Sequence, residues 1–114
     1  MSEARLAASV AVGALIRKAE SDGGFAAVLA KGDATAGTIL VILTEKGGNP
    51  RLLERILQPG GGYSWQPSGR QAVDKPEEVA QLVARRRQFD PDLWVLELDI
   101  PSAERFAAEM NGFD

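Results

Sequence analysis

Three arginines stand side by side at positions 85 to 87, in the stretch RRRQFDPDLWVLELD, and two aspartates follow them, one on each side of a proline. A row of guanidinium groups suits two kinds of chemistry. Arg85 and Arg87, joined by Lys31 or Arg17 if the fold brings them near, make a candidate ligand site for a phosphate-type anion, which planar donor forks recognise well. Arg86 falls at i+4 from Leu82 and i+3 from Val83, on the apolar stripe of its own helix. It therefore has to snorkel outward along its stem or find an acid. Asp90, Asp92 and Glu97 are the nearest candidates in sequence for a structural ion pair, and Asp99 lies just beyond. Asp90 and Asp92 also have the spacing for a hard cation or for proton transfer, but a pair flanking proline more commonly caps a turn. Asp33, in Lys31–Gly32–Asp33, is a turn residue by the same logic.

What is missing narrows the chemistry further. The chain of 114 residues contains no cysteine and no histidine. That excludes disulfides, thiolate metal sites, cysteine nucleophiles and imidazole acid–base machinery. The glycine run Gly60–Gly62 lacks the lysine and hydroxyl residue of a phosphate loop. No catalytic set is visible, and no metal or cofactor is expected. The net charge of −3 opposes nucleic acid, although Tyr63 and Trp65, two residues apart on one side of a short strand, could stack bases. The same two aromatics form a possible interaction surface for a protein partner.

The elements that must position these residues follow from spacing. Ala8, Val12, Leu15, Ile16 and Ala19 recur with helical period and predict a helix over about Ser9–Ser21, stopped by SDGG. FAAVLA predicts a strand. TILVILT is apolar and β-branched without alternation, as in a central strand buried on both faces. RLLERIL fits a strand or a short helix. DKPEEVAQLVARRRQFD predicts a helix with Asp74 as N-cap, Glu77 completing a capping box and the arginines at its negative end; its core stripe is Val79, Leu82, Val83 and Phe89. LWVLELDI predicts a strand with Trp94, Leu96, Leu98 and Ile100 on one face, and a face ending in Glu97 and Asp99 on the other. Pro101 and Ser102 open a last helix carrying Phe106 and Met110.

Strands joined by short turns imply an antiparallel meander. The expectation is one α+β domain spanning residues 1–114, two-layered, with a mostly antiparallel sheet of four to five strands and two or three helices packed on one face. LAASVAVGALI has the length of a signal-peptide core, but Glu3 and a single arginine precede it and no convincing cleavage site follows. It is also too short to span a bilayer, so no membrane association is expected and the cytoplasm is the expected location.

The layout ALIRKAESDGGFAAVLAKGDATAGTILVIL followed by RQFDPDLWVLELD resembles the bacterial family known as domain of unknown function 1491. The resemblance runs from about Ala14 to Asp99. It is most specific at Phe89–Asp90–Pro91–Asp92–Leu93–Trp94 and at Lys31–Gly32–Asp33. It implies a bacterial, cytoplasmic, single-domain protein and carries no assigned activity. The expected function is a non-enzymatic protein-interaction or self-association module, with a homo-oligomer as one form. The alternative is an anion- or small-molecule-binding protein using the arginine cluster, and the third is a weak nucleic-acid binder.

Overall fold

The computed structural model describes residues 7–68 and 76–111. The expected N-cap at Asp74 and its capping box with Glu77 lie outside the described residues. The elements are α1 (Ala8–Ser21), β1 (Phe25–Ala30), β2 (Ile39–Glu45), β3 (Gly48–Leu57), β4 (Tyr63–Pro67), α2 (Pro76–Phe89), β5 (Trp94–Asp99) and α3 (Ala103–Met110). RLLERIL resolves as strand. The five strands form one mixed sheet in the order β1-β5-β2-β3-β4. Three of its pairings are antiparallel, and β2 with β5 is parallel.

The central position of β2 explains its composition. Between β5 and β3 it is buried from Ile39 through Thr44, so both faces demand apolar side chains. The β2–β3 hairpin turns on two residues, Lys46 and Gly47, both with positive φ. That geometry matches the twist of the flanking strands, and Asp99 holds it. The Asp99 carboxylate accepts from Thr44 Oγ1 at 3.1 Å, from Lys46 N at 3.0 Å and from Gly47 N at 2.6 Å. The acidic end of β5 is thus partly a turn clamp.

The main core is built on the face carrying Ile39, Val41, Leu43, Leu53, Trp94, Leu96 and Leu98. Against it pack Ala11, Val12, Leu15 and Ala19 of α1 and Phe106 and Met110 of α3. Each fully buried leucine here contributes about 2 kcal/mol by removal of apolar surface from water. Leu40, Ile42, Leu52, Leu93 and Val95 point to the opposite face, where Val79, Leu82 and Val83 of α2 cover them. The fold is α+β with helices packed on a sheet, as expected. However, α2 does not share a face with α1 and α3. The alternation of β2 and β5 leaves an apolar patch on each side, and each patch needs a helix.

Two helix ends rely on distant partners. The N-cap of α1, Ala7, offers no side-chain acceptor. Instead the N–H groups of Ala8 and Ser9 donate to Thr35 O and Ala34 O, at 3.1 and 2.9 Å. At α3, Ser102 accepts from Arg105 N, and Glu45 Oε2 at the end of β2 accepts from Ala103 N at 2.7 Å.

Candidate functional site

The two motifs that carry the family resemblance meet in space. Asp33 N donates to Asp92 O at 3.0 Å, and Trp94 Nε1 donates to Asp33 O at 2.7 Å. The Asp33 carboxylate accepts from Thr35 N and Ala36 N at 3.1 and 2.8 Å, closing its own turn. Those two N–H groups, Ala36 first, hold the Asp33 carboxyl below the ordinary aspartate range. Gly32 lies so close to the 90–94 connection that a β-carbon there would sit 2.0 Å from Asp92 O. The Lys31–Gly32–Asp33 turn and the Phe89–Trp94 connection are therefore one packed junction.

The arginine row feeds this junction rather than an open hollow. Arg87 Nη1 donates to Pro91 O at 2.9 Å, to Leu93 O at 2.8 Å and to Lys31 O at 3.4 Å. Those carbonyls belong to a connection that has left regular structure and would otherwise lack donors. Arg86 reaches across the sheet face to Glu54 of β3, Nη1 to Oε1 at 2.9 Å. The expected partners Asp90, Asp92 and Glu97 do not take it. Asp90 Oδ1 instead accepts from Asp92 N at 3.2 Å, as a turn cap, while α2 crosses above β3 and brings Glu54 within reach. Arg85 is exposed and makes no hydrogen bond or ion pair among the described residues. Arg17 belongs to α1, on the other side of the sheet from α2, and does not join Arg85 and Arg87. Lys31 is near them through its carbonyl.

The aromatic pair divides. Trp65 is 6% exposed and part of the main core, and its backbone N–H donates to Asn111 Oδ1 at 2.7 Å. The ring is packed into the core and is not exposed as the interaction surface that its spacing suggests. Tyr63 is half-buried, with the guanidinium carbon of Arg55 3.8 Å from its ring centroid. Arg55 is a buried cation that sequence spacing did not single out. The reverse holds for Phe89, expected in the α2 stripe but 85% exposed. At that end of the face the buried place belongs to Leu93, turned in by the tight connection.

The surface also carries exposed apolar side chains. β1 is an edge strand, paired among the described residues with β5 alone. Its Phe25 is 77% exposed, and Val28 and Leu29 are about half exposed. Leu29 alternates onto the α2 face with Phe25 and Ala27, and a register irregularity between Val28 and Ala30 brings Ala30 to that face as well. There a groove of about 460 Å³ runs between α2 and the sheet, walled by Leu29, Ile42, Val79 and Val83, with Ala80, Ala84, Gly47, Gly48 and Pro50 at its sides. Among the described residues the one charged lining side chain is Glu97. Among the described residues no helix is long and apolar enough to cross a membrane.

The family described as "Protein of unknown function (DUF1491)" matches residues 6–108. No curated protein matches. The crystal structure of a DUF1491 family protein from Caulobacter crescentus is similar at 33% identity and a TM-score of 0.75, over 89% of this chain and 94% of that one. An NMR structure of a DUF1491 family protein from the same organism is similar at 32% identity and a TM-score of 0.76, over 91% and 94%. A solution structure of a protein from A. tumefaciens is similar at 32% identity and a TM-score of 0.76, over 90% and 92%.

Proposed function

As the chain belongs to the DUF1491 family, which brings no assigned activity, we propose from its own surface that it is a non-enzymatic self-association module whose copies pair through β1. The observation that carries this reading is the contrast between the two edges of the sheet. β4, the far edge, reads YSWQP and ends in proline, which blunts edge-to-edge pairing. β1 reads FAAVLA, without a charge or a proline, and leaves Phe25, Val28 and Leu29 exposed. Alternate residues of an edge strand direct unpaired N–H and C=O groups outward. Two β1 strands related by a twofold axis would pair antiparallel, satisfy those groups and cover the apolar side chains of both copies. A bacterial source and a cytoplasmic location belong to the same reading. The first is supported by the organisms of the related structures. The second is supported by the burial of Val12 and Leu15, which makes the apolar N-terminal stretch a core helix.

Sedimentation equilibrium on the purified chain tests it. The wild type is expected as a concentration-dependent dimer in the micromolar range. Ala27→Lys, placing a charge on an exposed position of β1, should give a folded monomer. A wild type that stays monomeric, or an Ala27→Lys protein that stays dimeric, overturns the reading.

A further inference from the structure

The groove under α2 is not accounted for by pairing of β1. Its volume of about 460 Å³ falls in the range that holds small ligands. The space exists because the residues bordering it are small: Ala80 and Ala84, one helical turn apart on α2, and Gly47 and Gly48 at the hairpin. The floor and walls are Ile42, Leu29, Val79 and Val83. Into this apolar surround projects one carboxylate, that of Glu97, half-buried between its strand neighbours Ile42 and Ala27. Among the described residues it has no hydrogen-bond or ion-pair partner. Thr44, the other polar lining side chain, already donates its hydroxyl to Asp99. Asp99 follows two residues later on the same face and adds a second negative charge near the groove. The arginines of α2 do not offset them: Arg86 is held by Glu54, Arg87 by the carbonyls of the junction, and Arg85 is exposed and is not among the described residues that line the groove.

A carboxylate against apolar walls is costly without a cationic partner. We infer that the groove is a binding site for a small amphiphilic cation, an aliphatic chain ending in an ammonium group. The chain lies along Ile42, Val79 and Val83, and the ammonium meets Glu97. The site disfavours the matching fatty acid, whose carboxylate would face Glu97 with like charge.

The test uses three probes of equal chain length, decylamine, decanoate and decanol, each kept below its micellar concentration and titrated into the full-length chain at pH 7. Methyl NMR signals of Ile42, Val79 and Val83 report occupancy. Decylamine is expected to saturate them, with decanoate binding about tenfold or more weakly, the equivalent of one charge-assisted contact at about 1.4 kcal/mol. Glu97→Gln should abolish the preference for amine over alcohol while leaving the fold intact by circular dichroism. Ala84→Trp, which fills the mouth, should abolish saturation for all three probes. The inference is overturned if no probe saturates the signals, if decanoate binds as well as decylamine, or if Glu97→Gln binds decylamine as tightly as the wild type. None of these outcomes depends on whether β1 pairs, because Val28→Lys, which puts a charge on the exposed side of β1 facing away from Glu97, can be titrated as a monomer in parallel.

Discussion

Arg86 of α2 donates to Glu54 of β3 at 2.9 Å, thirty-two residues back in the chain and on a strand two places away from β5. This ion pair ties α2 to the outer half of the sheet. Glu54 Oε1 also accepts from Ser68 Oγ at 3.2 Å, so the same carboxylate gathers the end of β4. The two side chains are 31% and 20% exposed, neither fully wet nor fully dry.

A pair in that setting is worth more than a surface pair and less than a buried one. A double-mutant cycle with Arg86→Ala and Glu54→Ala is expected to give a coupling of about 1–2 kcal/mol in urea unfolding. The same cycle with Asp90→Ala or Asp92→Ala in place of the Glu54 change should give a coupling near zero. A larger coupling to either aspartate would contradict the observed pairing.

Arg87 supports the connection between α2 and β5 through carbonyl oxygens of Pro91 and Leu93. Arg87→Ala leaves these acceptors short of donors and is expected to cost about 2 kcal/mol. Hydrogen exchange should localise the effect, with Leu93 and Trp94 amides exchanging faster while those of α1 keep their order. Arg87→Lys should recover only part of the loss, because one ammonium cannot reproduce the planar fork.

Gly32 has no room for a side chain. Its β-carbon position lies 2.0 Å from Asp92 O and 2.8 Å from the Leu93 carbonyl carbon. Gly32→Ala must push the two motifs apart and break the bond from Asp33 N to Asp92 O. The expected cost is about 2–3 kcal/mol, read as a lowered unfolding midpoint. Lys31→Ala, next in the chain but exposed, should change stability by about 0.5 kcal/mol or less.

The clasp between α1 and α3 sets a pH dependence. Lys18 bonds Glu109, and its ammonium stands 5.1 Å from the Phe106 ring centroid. Glu109 is held below the ordinary glutamate range, by Lys18 first and Arg105 second. Lys18 is held above the ordinary lysine range, chiefly by Glu109. A lowered carboxyl value means a contribution present above the unfolded-state value and lost as pH falls through the folded one. A raised lysine value means a contribution present below the unfolded-state value and lost as pH rises through the folded one. Urea midpoints of the wild type and Lys18→Met should therefore differ by a constant amount near neutrality, and the gap should shrink on acidification. A gap that widens below the glutamate range would show the assignment of charges to be wrong.

Local pattern was enough for most of the elements. The buried run ILVIL could only be a central strand, and the alternation of β5 separated Trp94, Leu96 and Leu98 from Leu93, Val95, Glu97 and Asp99 correctly. The helices declared themselves by period, and Ser102 by its capping chemistry. These readings succeed because periodicity and capping act within a few residues. RLLERIL stayed ambiguous for the same reason: its strand identity comes from β2 on one side and β4 on the other, not from its own propensity.

The types of residue at the junction, and the chemistry ruled out by the missing cysteine and histidine, were settled by the amino-acid sequence alone. The partners were not. Arg86 has acids close by in the chain, Asp90 at the i+4 spacing of a helical ion pair, but the one it meets is Glu54: Asp90 caps its own turn, and the packing of α2 on the sheet brings the carboxylate of β3 within reach. Trp65 and Phe89 exchanged their expected places, core and surface, for a related reason: burial is decided by what packs over a residue, and the main core around Trp65 and the turned-in Leu93 are facts of the assembled chain. The apolar groove around Glu97 is likewise invisible along the sequence, since its walls come from β1, β2, the hairpin, α2 and β5, and only their packing leaves the space between them.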